Sequence, residues 1–196
     1  LKNLTLTENG VDDDIFTKKN INYANKNLTI GFSGNSQNHD WRKGVTEFII
    51  PATIKAKCKF VEANKTSDLL KPLGQMPNFY KKIDLYVCAS SSEGFSLSVL
   101  EACATGIPII STRVGGCEDL IIDGYNGFLV ERNINSIYEK ISYLINNPEK
   151  LLEMGKKNRE VIESKWSWKI KINSWCEFIQ SCLQSDAKII EKSISN

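Results

Sequence analysis

The sequence predicts an α/β fold: a Rossmann-like parallel sheet with helices on both faces, followed by a helical C-terminal segment. Three observations predict it. Short apolar runs bounded by Gly, Pro, Asn and Ser recur along the chain. Segments of helical period separate them. The 196 residues, 41% hydrophobic and 24% charged, suffice to bury one sizeable core. Short apolar strands alternating with helices pair in parallel and are covered on both faces.

The elements follow in order. Residues 1–27 lack a clear period and read as a hinge or linker with a turn at Asn9-Gly10. Leu28 to Ser33 is a first strand, ended by Gly34-Asn35. Lys43 to Lys57 is helical, with Val45, Phe48, Ile49 and Ala52 on one face, and Pro51 divides or kinks it. Cys58 to Ala63 is a second strand. A polar loop leads to a short helix near Pro77, a residue suited to a first helical turn. Asp84 to Ala89 is a third strand, Phe95 to Thr105 a helix stopped by Gly106, Ile107 to Ser111 a fourth strand and Asn126 to Val130 a fifth. Helices follow at Ile134 to Asn146, Glu149 to Lys165 and Ser167 to Leu183. Residues 28–183 thus form the domain, and 184–196 a polar, frayed tail.

Composition excludes several classes of function. The net charge of +2 is too small to attract nucleic acid by its field. No apolar run reaches the roughly 18 residues of a membrane span, and the first residues lack the basic and apolar regions of a signal peptide. The six cysteines, Cys58, Cys88, Cys103, Cys117, Cys176 and Cys182, form no CxxC pair and read as reduced, buried thiols. No His, Asp or Cys cluster has metal-ligand spacing, so no bound metal is expected. These features point to the cytoplasm. The abundance of Asn, Lys and Ile points to an AT-rich, bacterial genome.

In such a sheet, ligands bind at the carboxyl ends of the strands. The loops that matter are Gly34 to Lys43, Ala63 to Met76, Ser90 to Phe95 and Ser111 to Glu118. The third is the most informative: a Ser-rich loop, Glu93-Gly94, then a helix. Gly94 permits close backbone approach to a ligand. The amides of Phe95, Ser96 and Leu97 lack partners at the helix start and favour an anion such as phosphate. Glu93 repels phosphate and instead suits hydroxyls or a cation. Glu101 lies eight positions on, about two helical turns at ~3.6 residues per turn. Two carboxylates flanking a phosphate-binding terminus suit a nucleotide sugar. On spacing alone, a helix cap at Glu93 and a surface ion pair at Glu101 explain the acids equally well.

Glu93-Gly-Phe-Ser-Leu-Ser-Val-Leu-Glu101 resembles the E-x7-E motif of retaining glycosyltransferases of family 4, which have the GT-B fold. Other segments resemble the family's in the same order. Asn9-Gly-Val-Asp12 with Phe16 is similar to its hinge segment, and Lys43-Gly44 to the KG after the first strand. Met76-Pro-Asn-Phe-Tyr80 with Asp84 is similar to its (E/M)LPxLYxxxD helix. Gly106-Ile-Pro108, Val114-Gly-Gly116 and Glu118 are similar to GxP, VGG and GGxxE. The resemblance covers about Asn9 to Phe178.

The resemblance implies one half of a GT-B fold, the C-terminal, donor-binding half, and a function in transferring a sugar from a nucleotide sugar with retention. It implies that Glu93 contacts the transferred sugar and Glu101 the ribose. Backbone amides at Gly94, Phe95, Ser96 and Leu97 would hold the diphosphate and sugar. Lys43 would neutralise the leaving diphosphate, and the loop at Gly74, Gln75 and Met76 would lie near the base. Gly34 ends the first strand. The family's Arg directly after it is Asn35 here, which can donate hydrogen bonds but brings no charge; Arg42, beside Lys43, is the candidate to compensate. No cofactor is implied, because the UDP- or GDP-linked sugar is a substrate. The partner is a glycan or lipid-linked acceptor, bound through an N-terminal domain absent from this sequence, so the chain alone is expected to bind donor and turn over little. The alternatives are a non-catalytic nucleotide-binding module and another GT-B enzyme such as a nucleotide-sugar epimerase.

Other residues have plainer readings. His39, the only histidine, reads as a solvated loop residue, and Trp166, Trp168 and Trp175 as core packing of the last helix. The basic stretch Lys156, Lys157, Arg159, Lys165, Lys169 and Lys171 reads as a solvated face. A peripheral contact with the inner face of the membrane is the alternative.

Overall fold

Five short strands form one sheet: β1 (Thr29–Ser33), β2 (Lys59–Ala63), β3 (Leu85–Cys88), β4 (Ile109–Thr112) and β5 (Gly127–Val130). All neighbours pair in parallel, in the order β2-β1-β3-β4-β5. The computed structural model describes residues 5–18, 27–63 and 73–194. Most of the expected loop between Ala63 and Met76 lies outside the described residues. Each strand starts or ends within two residues of its expected place. β3 and β4 are buried along their whole length, as a central parallel strand requires when helices cover both its faces.

The helices are α1 (Ser36–Lys43), α2 (Ile50–Lys55), α3 (Met76–Tyr80), α4 (Leu97–Ala104), α5 (Cys117–Leu120), α6 (Ile134–Asn146), α7 (Pro148–Val161) and α8 (Trp168–Ile194). α2 and α6 pack together, as do α4 and α7. Right-handed crossovers explain the two layers. The chain runs outward in one direction from β1 to β2, and in the other from β3 to β5, so the connecting helices fall on opposite faces. The order reverses between β1 and β3. That reversal opens a crevice at the carboxyl ends of these two strands.

Local chemistry sets the helix ends. Pro51 sits in the first turn of α2, and a π-helical turn, Val45–Ile49, precedes it. The predicted long helix is therefore divided there, because Pro cannot continue the hydrogen-bond ladder. Gly106 stops α4 with φ +76°, and its carbonyl lies where a side chain at Gly155 would be. That contact lets α4 and α7 approach closely. Asn133 caps α6 by accepting a hydrogen bond from the Ser136 amide at 2.8 Å.

Several expectations are corrected. α4 starts at Leu97, two residues after the expected Phe95, with Ser96 as its cap residue. The turn in the hinge segment is at Asp12 to Phe16, not Asn9-Gly10. Asp12 Oδ1 accepts the amides of Asp14 and Ile15, and the Phe16 amide bonds to the Asp12 carbonyl. Gly10 is instead a close-approach position: a Cβ there would lie 2.8 Å from the Trp168 side chain. α8 continues to Ile194, past the expected end at Leu183. His39 is exposed but lies at a break within α1 rather than in a loop.

Trp166 is core, at 1% exposed, but Trp168 is exposed and Trp175 half-buried. Trp168 and Trp175 cover the hinge segment instead, Trp175 donating its indole N–H to the Glu8 carbonyl at 3.0 Å. Cys88, Cys103 and Cys117 are buried free thiols, whereas Cys176 and Cys182 are exposed on α8. From Ile179 to Gln184 that helix presents every residue to solvent, so nothing there can bury a thiol.

Half of the basic stretch is a solvated face, as expected: Lys156, Lys165 and Lys169 are exposed, whereas Lys157 and Arg159 are half-buried and Lys171 is buried. Arg159 donates to the carbonyls of Phe16 (2.7 Å), Ala104 (2.8 Å) and Asp13 (3.0 Å), and pairs with Glu163. Lys171 pairs with Glu8 and lies over the Trp166 ring. Lys169 pairs with Asp14, Lys157 with Glu153 and Lys156 with Glu160. Val11 completes the seam: its amide donates to the Trp166 carbonyl, and its carbonyl accepts from the Trp168 amide. Residues 8–16 are thereby strapped to the C-terminal helices.

Candidate functional site

The crevice between β1 and β3 brings together the loops singled out from sequence. β1 ends at Ser33, and Gly34 follows with φ +155°, its amide donating to the Ala63 carbonyl at 3.0 Å. Asn35 leads into α1, which delivers Arg42 and Lys43 at its end. From β3 the chain runs through Ser90 to Glu93. Lys43 and Glu93 meet as an ion pair, their side chains only 15% and 11% exposed. The Ser90 hydroxyl donates to the same Glu93 oxygen at 2.7 Å. Ser90 is held in turn by the Thr112 hydroxyl, which donates to its carbonyl at 2.6 Å. The two residues expected to act on sugar and diphosphate therefore face each other across the switch point. Arg42 adds a guanidinium whose buried Nε has no hydrogen-bond partner.

The second carboxylate occupies a separate place. Glu101 Oε2 accepts the Tyr80 phenol hydrogen at 2.7 Å, and Ser33 Oγ lies 2.9 Å from that phenol oxygen. Tyr80 has one proton and gives it to Glu101, so Ser33 donates to Tyr80. Burial raises the Tyr80 pKa far above that of a free phenol and keeps it a donor. Burial also raises the Glu101 pKa, only partly offset by the Tyr80 hydrogen bond. For a carboxyl with a raised folded pKa, the stabilising contribution is full at acid pH and lost as pH rises through the folded value. We therefore expect Glu101→Gln, which still accepts from Tyr80, to be more stable than the parent at pH 7. The gain should vanish near pH 4 in paired thermal melts, and a loss of stability at pH 7 would refute the burial argument.

Between these carboxylates runs the start of α4. Gly94 is exposed, and nothing lies within 4 Å of where its Cβ would be. Leu97 is exposed, while Ser96 is buried with its hydroxyl 3.2 Å from that of Ser98. The hydrogen-bond ladder of α4 begins with the Val99 and Leu100 amides, both donating to the Ser96 carbonyl at 3.1 Å, so the Leu97 and Ser98 amides precede it. Phe95 is half-buried, its ring 5.2 Å from that of Trp166, so it anchors the loop to the body of the fold.

The two glycines after Val114 have a steric cause. A Cβ on Gly115 (φ +45°) would collide with the carbonyls of Glu93 and Gly94, and one on Gly116 with the Phe95 ring. The Gly116 amide donates to the Gly94 carbonyl at 3.1 Å. The pair thus supports the Glu93–Phe95 backbone from below.

Two clefts flank Gly94 to Leu97. One, of about 370 Å³, is lined by Gly74, Leu97, Leu100 and Glu101 together with Gly10, Phe16 and Trp168. The other, of about 490 Å³, lies against Gly94, Phe95, Gly115 and Gly116 and the hinge residues Leu6 to Asn9. Of the loop assigned to the base, Gly74 reaches the first cleft; Gln75 is exposed and Met76 half-buried, and neither lines it. Sequence reasoning missed Tyr80, Ser90 and Thr112. All three stood inside segments already singled out, but nothing local marks which carboxylate each one serves.

Comparison with known proteins bears on the family and the fold. The family model for glycosyl transferases group 1 matches residues 20–161. An uncharacterised glycosyltransferase of Methanocaldococcus jannaschii is 41% identical over 99 residues, which is 50% of this chain and 28% of that protein. Among solved structures, sucrose-phosphate synthase from Thermosynechococcus elongatus superposes with a TM-score of 0.76 at 17% identity, covering 92% of this chain and 53% of that one. The Anabaena protein HepE, solved in complex with UDP and glucose, gives 0.71 at 17%, covering 90% and 56%. The chain thus spans under a third of that curated relative and just over half of each of these structures. Its parallel sheet with helices on both faces is the fold of one GT-B glycosyltransferase domain. By the family match over most of its length, the chain belongs to the glycosyl transferases group 1 family.

Proposed function

We propose that this chain is the donor-binding domain of a retaining glycosyltransferase of family 4. The donor is a UDP- or GDP-linked hexose, and the acceptor a glycan or lipid-linked glycan held by a further domain. One observation carries the reading: the Lys43–Glu93 pair spans the switch point beside the open start of α4, with Glu101 one cleft away. The nucleoside enters the cleft lined by Gly74, Leu97 and Glu101, where Glu101 accepts from the ribose hydroxyls. The diphosphate lies over the first-turn amides of α4, and the sugar reaches Gly94 and Glu93. Lys43 exchanges its carboxylate partner for the diphosphate, and Arg42 supplies the second positive charge that Asn35 does not. In the transfer, the acceptor hydroxyl oxygen bonds to the anomeric carbon on the face from which the diphosphate departs, the bond to the diphosphate oxygen breaks, and the hydroxyl proton passes to that departing oxygen. The electron pair leaves with the diphosphate, where the two cations stabilise it.

HepE, with UDP and glucose bound, is a fold neighbour consistent with such a donor. Among the described residues no helix is long and apolar enough to cross a membrane. We place the protein in the cytoplasm, with any lipid-linked acceptor met at the inner membrane face. Calorimetric titration of the chain with UDP, GDP and ADP, each with and without a sugar, tests the reading. One nucleotide should bind saturably, and Lys43→Ala and Glu101→Ala should each weaken it about tenfold or more, the scale of a lost hydrogen bond to a charged group. A folded chain that binds none of them would refute it.

A further inference from the structure

Arg132 lies two residues beyond β5, on neither of the loops that carry the site, yet it touches both. Its Nε donates to the Ala89 carbonyl at 2.9 Å, at the end of β3, and its Nη2 to the Trp41 carbonyl at 2.7 Å, near the end of α1. Its guanidinium carbon stands 4.5 Å from the centre of the Phe48 ring, which supports its unbonded face. A planar fork with fixed donor directions can bridge two carbonyls in this way; an ammonium cannot hold both in one geometry.

The neighbouring contacts belong to the same seam. The Ser91 amide donates to the Arg42 carbonyl at 2.8 Å. Gly44 adopts φ +67°, and a Cβ there would lie 2.8 Å from the Ala89 carbonyl and 3.2 Å from the Arg132 guanidinium. Residues 41–44 therefore run against residues 89–93, and the Lys43–Glu93 pair is the last contact of this seam.

We infer that Arg132 is a positioning residue: by holding the Trp41 and Ala89 carbonyls together, it fixes Lys43 relative to Glu93 and to the start of α4. The inference rests on the donor-site reading above. It adds that the diphosphate-binding cation is placed from β5, by a residue that touches no substrate. Arg132 thus acts on the donor only through Lys43.

The test is a double-variant cycle on the whole chain, with binding of the nucleoside diphosphate preferred by the parent as readout. Arg132→Ala should weaken that binding about tenfold. In the Lys43→Ala background the same change should cost less than about twofold, because its effect passes through Lys43. Hydrogen exchange gives a readout independent of ligand. In Arg132→Ala the Ser91 amide should exchange faster while amides of α6 and α7 keep the parent's rates. Arg132→Lys, which keeps the charge and most of the packing, should behave like Arg132→Ala in both assays. Unchanged affinity in a folded Arg132→Ala protein overturns the inference and leaves the donor-site reading intact. Fully additive losses in the double variant also overturn it, since they mark a structural role separate from Lys43. A parent chain that binds no nucleotide overturns the donor-site reading, and this inference with it.

Discussion

Arg159→Ala is expected to lower the unfolding free energy by about 3–5 kcal/mol, the cost of breaking a largely buried charged hub by removing one side. The Arg159 and Asp13 side chains are only 14% and 9% exposed. The substitution strands the carbonyls of Asp13, Phe16 and Ala104 at once. Denaturant unfolding monitored by circular dichroism measures the loss, and a change under 1 kcal/mol would show that water replaces the guanidinium freely. The same hub predicts acid sensitivity. Burial opposes ionisation of Asp13, but the Ser167 hydroxyl, Lys169 and Arg159 outweigh it, and its pKa is lowered. For a carboxyl with a depressed folded pKa, the stabilisation is present above the unfolded pKa of ~3.9 and is lost as pH falls through the folded value. In Arg159→Ala part of that acid loss should be missing.

Glu93→Gln is expected to separate binding from chemistry. In the resting protein Glu93 holds Lys43 as an ion pair. The diphosphate competes for that ammonium, so removing the carboxylate charge frees it. Nucleoside diphosphate without sugar should then bind about tenfold more tightly, or about 1.4 kcal/mol. Transfer by a protein that includes the acceptor-binding part should fall about 100–1,000-fold, as when one group aimed at the reacting centre is lost. Calorimetry and steady-state rates check the two halves separately. If affinity and rate fell together, Glu93 would be supporting the loop rather than acting on the sugar. A donor-binding role for Lys43 also requires that Lys43→Ala not reproduce the gain in affinity.

How far the sequence carried this site depends on the range of each signal. The strands, the division of the first predicted helix at Pro51 and the bounds of α6 were legible because period, proline and cap act within a few residues. The resemblance assigned Glu93 to the sugar and Lys43 to the diphosphate, but their direct pairing was not legible, since 50 positions separate them. Arg159 and Lys171, within the basic stretch, were misread for the same reason. Lys and Arg on a helix normally face water, and nothing near Arg159 in sequence announces Asp13, 146 positions away. Tyr80, assigned only as part of a family helix, donates a hydrogen bond to Glu101 that partly offsets the effect of burial on that carboxyl. The glycines of Val114-Gly-Gly116 were recognised as a motif, but their cause lies in the facing loop, the Glu93 and Gly94 carbonyls against Gly115 and the Phe95 ring against Gly116.

The strap formed by Val11, Asp13 and Phe16 also dictates an order of events during synthesis. Its anchors are Arg159 and the Trp166–Trp168 backbone. Ribosomes add roughly 5–20 residues per second, so the hinge segment leaves the exit tunnel many seconds before anything exists for it to dock on. Throughout that interval the apolar side chain of Val11, buried in the finished protein, stays in water or in the grip of a chaperone, and Phe16 has only the Tyr80 ring, 5.9 Å from its own in the finished fold, to meet. The sheet can assemble from β1 to β5 as it emerges, because each strand after β2 pairs with one already made. Closure of the hinge is therefore the last step, made by contacts of very long sequence separation, which form slowly. A nascent chain arrested before α7 should be cut by protease within residues 5–18, and one released after α8 should resist.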